Sequence, residues 1–120
     1  MTTLDEMTAG YLEAVDFTES EPMQDSAGED VEILGFAAEM DEQARDDCAQ
    51  FLDLLARMAI DWSSVWDARQ LGIDFWFTRN HHGCGFWERG GHLGDILTKW
   101  ADSMGEVDVY EGDDNWAYFA

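Results

Sequence analysis

The chain has 120 residues, and 27 acidic side chains stand against six basic ones, for a formal net charge of −21. A surface this negative repels nucleic acid and anionic membranes and attracts proteins with basic grooves, most of which exist to hold DNA or RNA. Acidic chains of this kind are usually disordered, but six Trp, seven Phe, three Tyr and six Met supply a core.

In chain order, Leu4, Met7, Tyr11, Leu12 and Val15 recur at helical spacing and predict a short amphipathic helix over residues 4–16. Residues 17–30 contain the only proline, Pro22, and have the composition of a loop. Residues 31–38 form a short apolar stretch broken by Gly35, read as a turn of helix. From Asp41 to Ile60 the pattern is clearer. Ala44, Cys48, Phe51, Leu52, Leu55, Ala59 and Trp62 make the stripe of a helix with one buried face. Asp41 is its expected N-cap, and acids in the first turn suit the helix dipole. The aromatic and β-branched run Leu71–Arg79 predicts a strand, with a turn at residues 80–85 and a partner strand at Phe86–Arg89. Gly90 and Gly91 end that hairpin. Leu93, Ile96, Leu97, Trp100 and Met104 mark a further helix closed by Gly105. Val107, Val109 and Tyr110 predict a strand, residues 112–115 a turn, and Trp116–Phe119 a last strand. The expected fold is α+β, with helices packed on a small antiparallel sheet in the order α-α-ββ-α-ββ.

The length predicts one domain over 1–120, its core in 39–119, with the N-terminal helix and acidic loop of 1–30 as a segment able to move. No stretch approaches the roughly 18–20 apolar residues of a membrane span, and acids occupy the start where a signal peptide needs basic residues. Two cysteines, Cys48 and Cys84, do not make a disulfide framework and fit a reduced intracellular setting.

Four segments have a familiar pattern: Asp74-Phe-Trp-Phe-Thr-Arg-Asn80, His82-Gly-Cys-Gly-Phe-Trp87, Gly94-Asp-Ile-Leu-Thr98 and Gly105-Glu-Val-Asp-Val-Tyr-Glu-Gly-Asp-Asp114. Together they resemble a family of small acidic tailed-bacteriophage proteins. Tyr11-Leu-Glu-Ala14 and Ala44-Arg-Asp-Asp-Cys48 are similar to that family's helices, whereas residues 17–38 and Trp116–Ala120 depart from it. The resemblance implies an origin, the cytoplasm of an infected bacterium, rather than an activity.

His81, His82 and Cys84, with His92 and Cys48 elsewhere, carry the atoms of a zinc site but lack its paired spacing. Gly83, Gly85, Gly90 and Gly91 lack the context of a phosphate-binding loop, and 111–115 lacks the calcium-loop pattern. Asp74, Arg79 and Arg89 are better suited to internal ion pairs than to catalysis. Alternation in the predicted strand places Phe75 and Phe77 in the core, and Trp76 and Trp87 on the other face or at a homodimer contact. No catalytic residue, metal or cofactor is expected.

The acids are distributed unevenly. Residues 1–60 hold 16 acids and two arginines, and residues 61–120 hold 11 acids and four bases. The expected function is therefore that of a non-enzymatic phage inhibitor, a DNA mimic whose carboxylates occupy the basic groove of a host DNA-binding protein. The expected contacts are Asp41, Glu42, Asp46, Asp47 and Asp53 on the central helix, with Glu29, Asp30, Glu32 and Glu39 before it. Asp5, Glu6, Glu13, Asp16, Glu19 and Glu21 extend that surface. The alternative is an interaction module that binds a host protein through its aromatic sheet or N-terminal helix, with acids that serve only solubility or salt adaptation.

Overall fold

A computed structural model describes residues 2–18, 23–24, 30–31, 35–81, 85–88, 91–111 and 116–119. The fold is α+β and mostly helical. Its elements are α1 (Thr3–Thr18), β1 (Met23–Gln24), β2 (Asp30–Val31), β3 (Gly35–Phe36), α2 (Ala38–Arg57), α3 (Ala68–Arg79), a 3-10 turn (Phe86–Glu88), α4 (Gly91–Ser103), β4 (Val109–Glu111) and β5 (Trp116–Phe119).

Each long helix has a local cause. Thr2 and Asp5 cap the start of α1 reciprocally, Thr2 Oγ1 accepting from Asp5 N and Asp5 Oδ2 accepting from Thr2 N, both at 3.1 Å. Helix α2 buries Met40, Ala44, Cys48, Phe51 and Leu55; four of these belong to the expected stripe, but Leu52 is only half-buried, and the helix ends at Arg57, short of the exposed Ala59 and the half-buried Trp62. It also starts earlier than expected. Ala37 is its N-cap, and Asp41 lies in the first turn. Helix α4 buries Gly94, Leu97 and Ala101, and Gly105, at φ +80°, takes the left-handed conformation that follows many helix ends.

The expected hairpin at residues 71–89 is not formed. Residues 68–79 are helix α3, and residues 86–88 are a 3-10 turn. Asp67 accepts from Gln70 N at 2.7 Å and caps α3, while eight of the twelve residues in the helix are buried. A helix turns about 100° per residue, so Phe75 and Phe77 diverge instead of sharing a face. Phe75 and Trp76 enter the core, and Phe77 stays half-buried at the surface. Trp76 is thus a core residue, not an outward one; its Nε1 donates to Thr18 Oγ1 at 3.0 Å. The expected helical turn at residues 31–38 is likewise replaced by the short strands β2 and β3 on either side of 32–34, which lie outside the described residues.

Two strands pair at the C-terminus as expected, although the first starts at Val109, not Val107, and the expected turn at 112–115 lies outside the described residues. Strands β4 and β5 pair antiparallel, with Tyr110 opposite Tyr118, and β3 joins the other edge of β5 in parallel. Strands β1 and β2 form a separate antiparallel pair. The core joins all four helices and β5. Phe51 stacks on Phe75 at 4.4 Å, and Tyr11 meets Trp76 edge-on at 5.3 Å and Phe119 at 6.2 Å. Met7, Tyr11, Ala14 and Val15 pack one face of α1 into this core. Among the described residues, no helix is long and apolar enough to cross a membrane.

Candidate functional site: an acidic face on α2

The register of α2 sorts its carboxylates. With one face committed to Met40, Ala44, Cys48, Phe51 and Leu55, the opposite face carries Glu39, Glu42, Asp46 and Asp53, all exposed. These four fall within an arc of about 60° and span about 21 Å along the axis. Asp41 and Asp47 border the buried stripe on its two sides. Asp41 is exposed, whereas Asp47 is turned inward and half-buried against Arg79. Of the other expected contacts, Glu29 and Glu32 lie outside the described residues, and Asp30 is described only as backbone, paired with Gln24 in the β1–β2 ladder.

The few cations decide which acids remain uncompensated. Arg45 pairs with Asp5 and joins α2 to α1, and Arg69 pairs with Glu13 and joins α3 to α1. Arg57 meets Asp53 at 2.9 Å across one turn of α2, and Arg79 meets Asp47 at 2.7 Å. Every arginine among the described residues is thus held by a carboxylate. Asp5 shows the strength of one such tie. Its hydrogen bond from Arg45, helped by those from Thr2, lowers its pKa to about 2. The Arg57–Asp53 pair is fully solvated and constrains Asp53 weakly. Among the described residues, no ion pair engages Glu39, Asp41, Glu42 or Asp46 on α2, nor Glu6 or Asp16 on α1. Glu19 and Glu21 lie outside the described residues.

The arrangement acts on the helix in two ways: Glu39 in the first turn suits the dipole, while the spacing along the row sets like charges side by side. Glu39 and Glu42 are three residues apart and Glu42 and Asp46 four, so the like charges are neighbours on the same surface and each such pair destabilises the helix slightly. Chemically, the face can accept hydrogen bonds and ion pairs from several lysines or arginines at once.

The other candidate residues take different places. Asp74 is buried and accepts from Trp66 Nε1 at 2.7 Å and Gln70 Nε2 at 2.8 Å. Arg79 is a buried structural hub. Cys48 lies in the core on α2, its thiol pushed up to about 12 by burial. His81 is exposed, 3.4 Å from Glu106, while His92 is exposed on α4. His82, Cys84 and Arg89 lie outside the described residues. Among the described residues no three His, Cys, Asp or Glu side chains gather as a metal site would require.

The sequence reading missed the part that Arg45 and Arg69 play in neutralising Asp5 and Glu13. Both pairs join different helices, and no local spacing signals them. Comparison with protein-family models, curated proteins and solved structures returned no match.

Proposed function

We propose that this protein is a phage-encoded, non-enzymatic inhibitor that acts as a DNA mimic. Its α2 face would occupy the basic groove of a host DNA-binding protein such as a topoisomerase, a restriction or CRISPR nuclease, RNA polymerase or a nucleoid protein. The observation that carries this reading is the row Glu39, Glu42, Asp46 and Asp53, aligned on the outer face of one helix. One strand of B-DNA presents a phosphate every 3.4 Å or so, hence about six over the same 21 Å. Four carboxylates approach that density, while Asp41, beside the buried stripe, stands off the row. The phage setting comes from the sequence resemblance, and the host cytoplasm follows from it.

The test is capture from bacterial lysate on the immobilised protein, eluted with salt and competed with duplex DNA. The retained proteins should be DNA-binding proteins that duplex DNA displaces. Their retention should fall steeply between about 50 and 200 mM salt, as multi-phosphate contacts do. The triple variant Glu39→Gln/Glu42→Gln/Asp46→Asn should lose them. Retention indifferent to salt and to the triple variant would leave the acids a solubility role only, and the DNA-mimic reading would be discarded.

A further inference from the structure

Away from the α2 face, α1 and α3 enclose a second surface feature. The two helices run side by side in the same direction, with Gly10 against the Arg69 backbone and Gly72 against Met7 and Tyr11. Beside this close crossing the two helices leave a hollow at the surface. Ala14 and Phe17 from α1 and Ile73 and Phe77 from α3 then line an apolar groove of about 240 Å³, with Glu13 on its wall. Phe17 is 74% exposed and touches Phe77 only edge-on, with ring centroids 6.3 Å apart. An open phenylalanine beside two half-buried apolar neighbours, Ile73 and Phe77, is an aromatic anchor that a partner's side chains can reach.

Size and charge narrow the occupant. Small-molecule sites usually enclose about 300–1,000 Å³, so this groove better fits the side chains of a protein segment. Glu13, Asp16 and Glu6 are exposed along the outer side of α1, and Arg69, the one cation beside the groove among the described residues, is held by Glu13. The rim is therefore anionic, in a chain of net charge −21. A second copy of the chain or an anionic membrane would be repelled, while a cationic amphipathic segment would be attracted along its length.

We infer that the α1–α3 groove docks a basic amphipathic helix of a partner protein. Its apolar side chains at i and i+3 or i+4 sit between Phe17 and Phe77, and its lysines and arginines face Glu13 and Asp16. This inference is independent of the α2 reading, since the residues involved are on other helices.

The test uses a synthetic leucine–lysine amphipathic helix, a scrambled peptide of the same composition, and calorimetric titration against the whole protein. The amphipathic peptide should bind more tightly than the scrambled one. Phe17→Ser, at an exposed position, should weaken binding about tenfold, the loss expected for an aromatic anchor, with the melting temperature preserved. The loss caused by Phe17→Ser should be equally large in the α2 triple variant, which separates failure here from failure of the DNA-mimic reading. Equal binding of the two peptides, or no effect of Phe17→Ser, would reduce the groove to general charge attraction and overturn the inference. So would sedimentation showing a dimer that Phe17→Ser dissolves.

Discussion

Arg79 Nη1 donates to Asp47 Oδ2 at 2.7 Å, and this pair ties together the centre of the molecule. The Arg79 side chain is 4% exposed. The same Nη1 also donates to Tyr11 Oη at 3.2 Å, Nε donates to the Gly105 carbonyl at 2.8 Å, and Nη2 donates to the Met104 carbonyl at 3.2 Å. One guanidinium thus links α1, α2 and α3 to the chain leaving α4, and its charge complements the carbonyl end of that helix.

Removing one partner of a buried pair leaves the other charge uncompensated, at a cost of about 3–5 kcal/mol, and the partial exposure of Asp47 places this pair at the lower end. Arg79→Met is expected to lower the unfolding free energy by that amount in urea denaturation. Arg79→Lys should recover only part of it, because an ammonium lacks the planar fork that reaches Asp47 and two carbonyls together. Full stability in Arg79→Met would mean that the hub contributes no net stability.

The α1–α3 crossing makes a second demand. A Cβ added at Gly72 would stand 1.9 Å from the Met7 carbonyl oxygen, and one at Gly10 would stand 2.0 Å from that of Arg69. Both obstacles are backbone, which cannot rotate aside. Gly72→Ala should therefore cost at least the roughly 1–3 kcal/mol of ordinary overpacking. At Gly105 a Cβ meets nothing within 4 Å, and only the φ of +80° resists it. Gly105→Ala should cost about 1–2 kcal/mol. Thermal melts of the two variants side by side would check the order.

The aligned acids of α2 carry a stability penalty that can be measured without a partner. Like charges at i, i+3 and i, i+4 destabilise a helix by about 0.2–0.5 kcal/mol per pair. The double variant Glu42→Gln/Asp46→Asn removes the Glu42–Asp46 repulsion and relieves Glu39. It should raise the melting temperature at low ionic strength, and the gain should disappear in about 1 M salt, where the Debye length falls to about 3 Å. A double variant less stable at low salt would show that these carboxylates are held by favourable contacts and are not free to bind.

Helices α1, α2 and α4 were legible in the sequence because each has a dry and a wet side. Met7, Tyr11 and Val15, or Ala44, Cys48, Phe51 and Leu55, leave a periodic trace. Helix α3 lacks one. With Leu71, Gly72, Asp74, Phe75, Trp76, Thr78 and Arg79 all buried, its solvent side is a narrow strip, and a short run rich in aromatics is indistinguishable from a buried strand by periodicity. The overlooked signal was Asp67 followed three residues later by Gln70 before the apolar run, a helix-start signature. At the candidate site, the exposed arc of Glu39, Glu42, Asp46 and Asp53 followed from the α2 stripe alone. The inward turn of Asp47 did not, because its partner Arg79 is 32 residues away on another helix. The pairing of β3 beside β5 was hidden for the same reason, being a contact between distant and very short segments.

The buried thiol of Cys48 makes a prediction about alkaline pH. Burial raises it from 9.0 to about 12, a shift that the nearby Asp47 reinforces and that the Thr8 hydroxyl and Arg79 oppose. Between those values the unfolded chain loses the proton while the native state keeps it. The native state then binds more protons, so stability is fully present below pH 9 and falls as pH rises towards 12. Tyr11, also raised by burial, acts in the same direction, so the measurement needs a control that leaves it in place. In a Cys84→Ser background, the urea midpoint should fall more steeply above pH 9 when Cys48 is present than when it is replaced by alanine. A thiol reagent should also label Cys48 only at the rate of unfolding, because the thiol is both buried and protonated at neutral pH. Parallel alkaline slopes in the two proteins, or rapid labelling under native conditions, would show that Cys48 reaches solvent and that the α1–α2 junction opens around it.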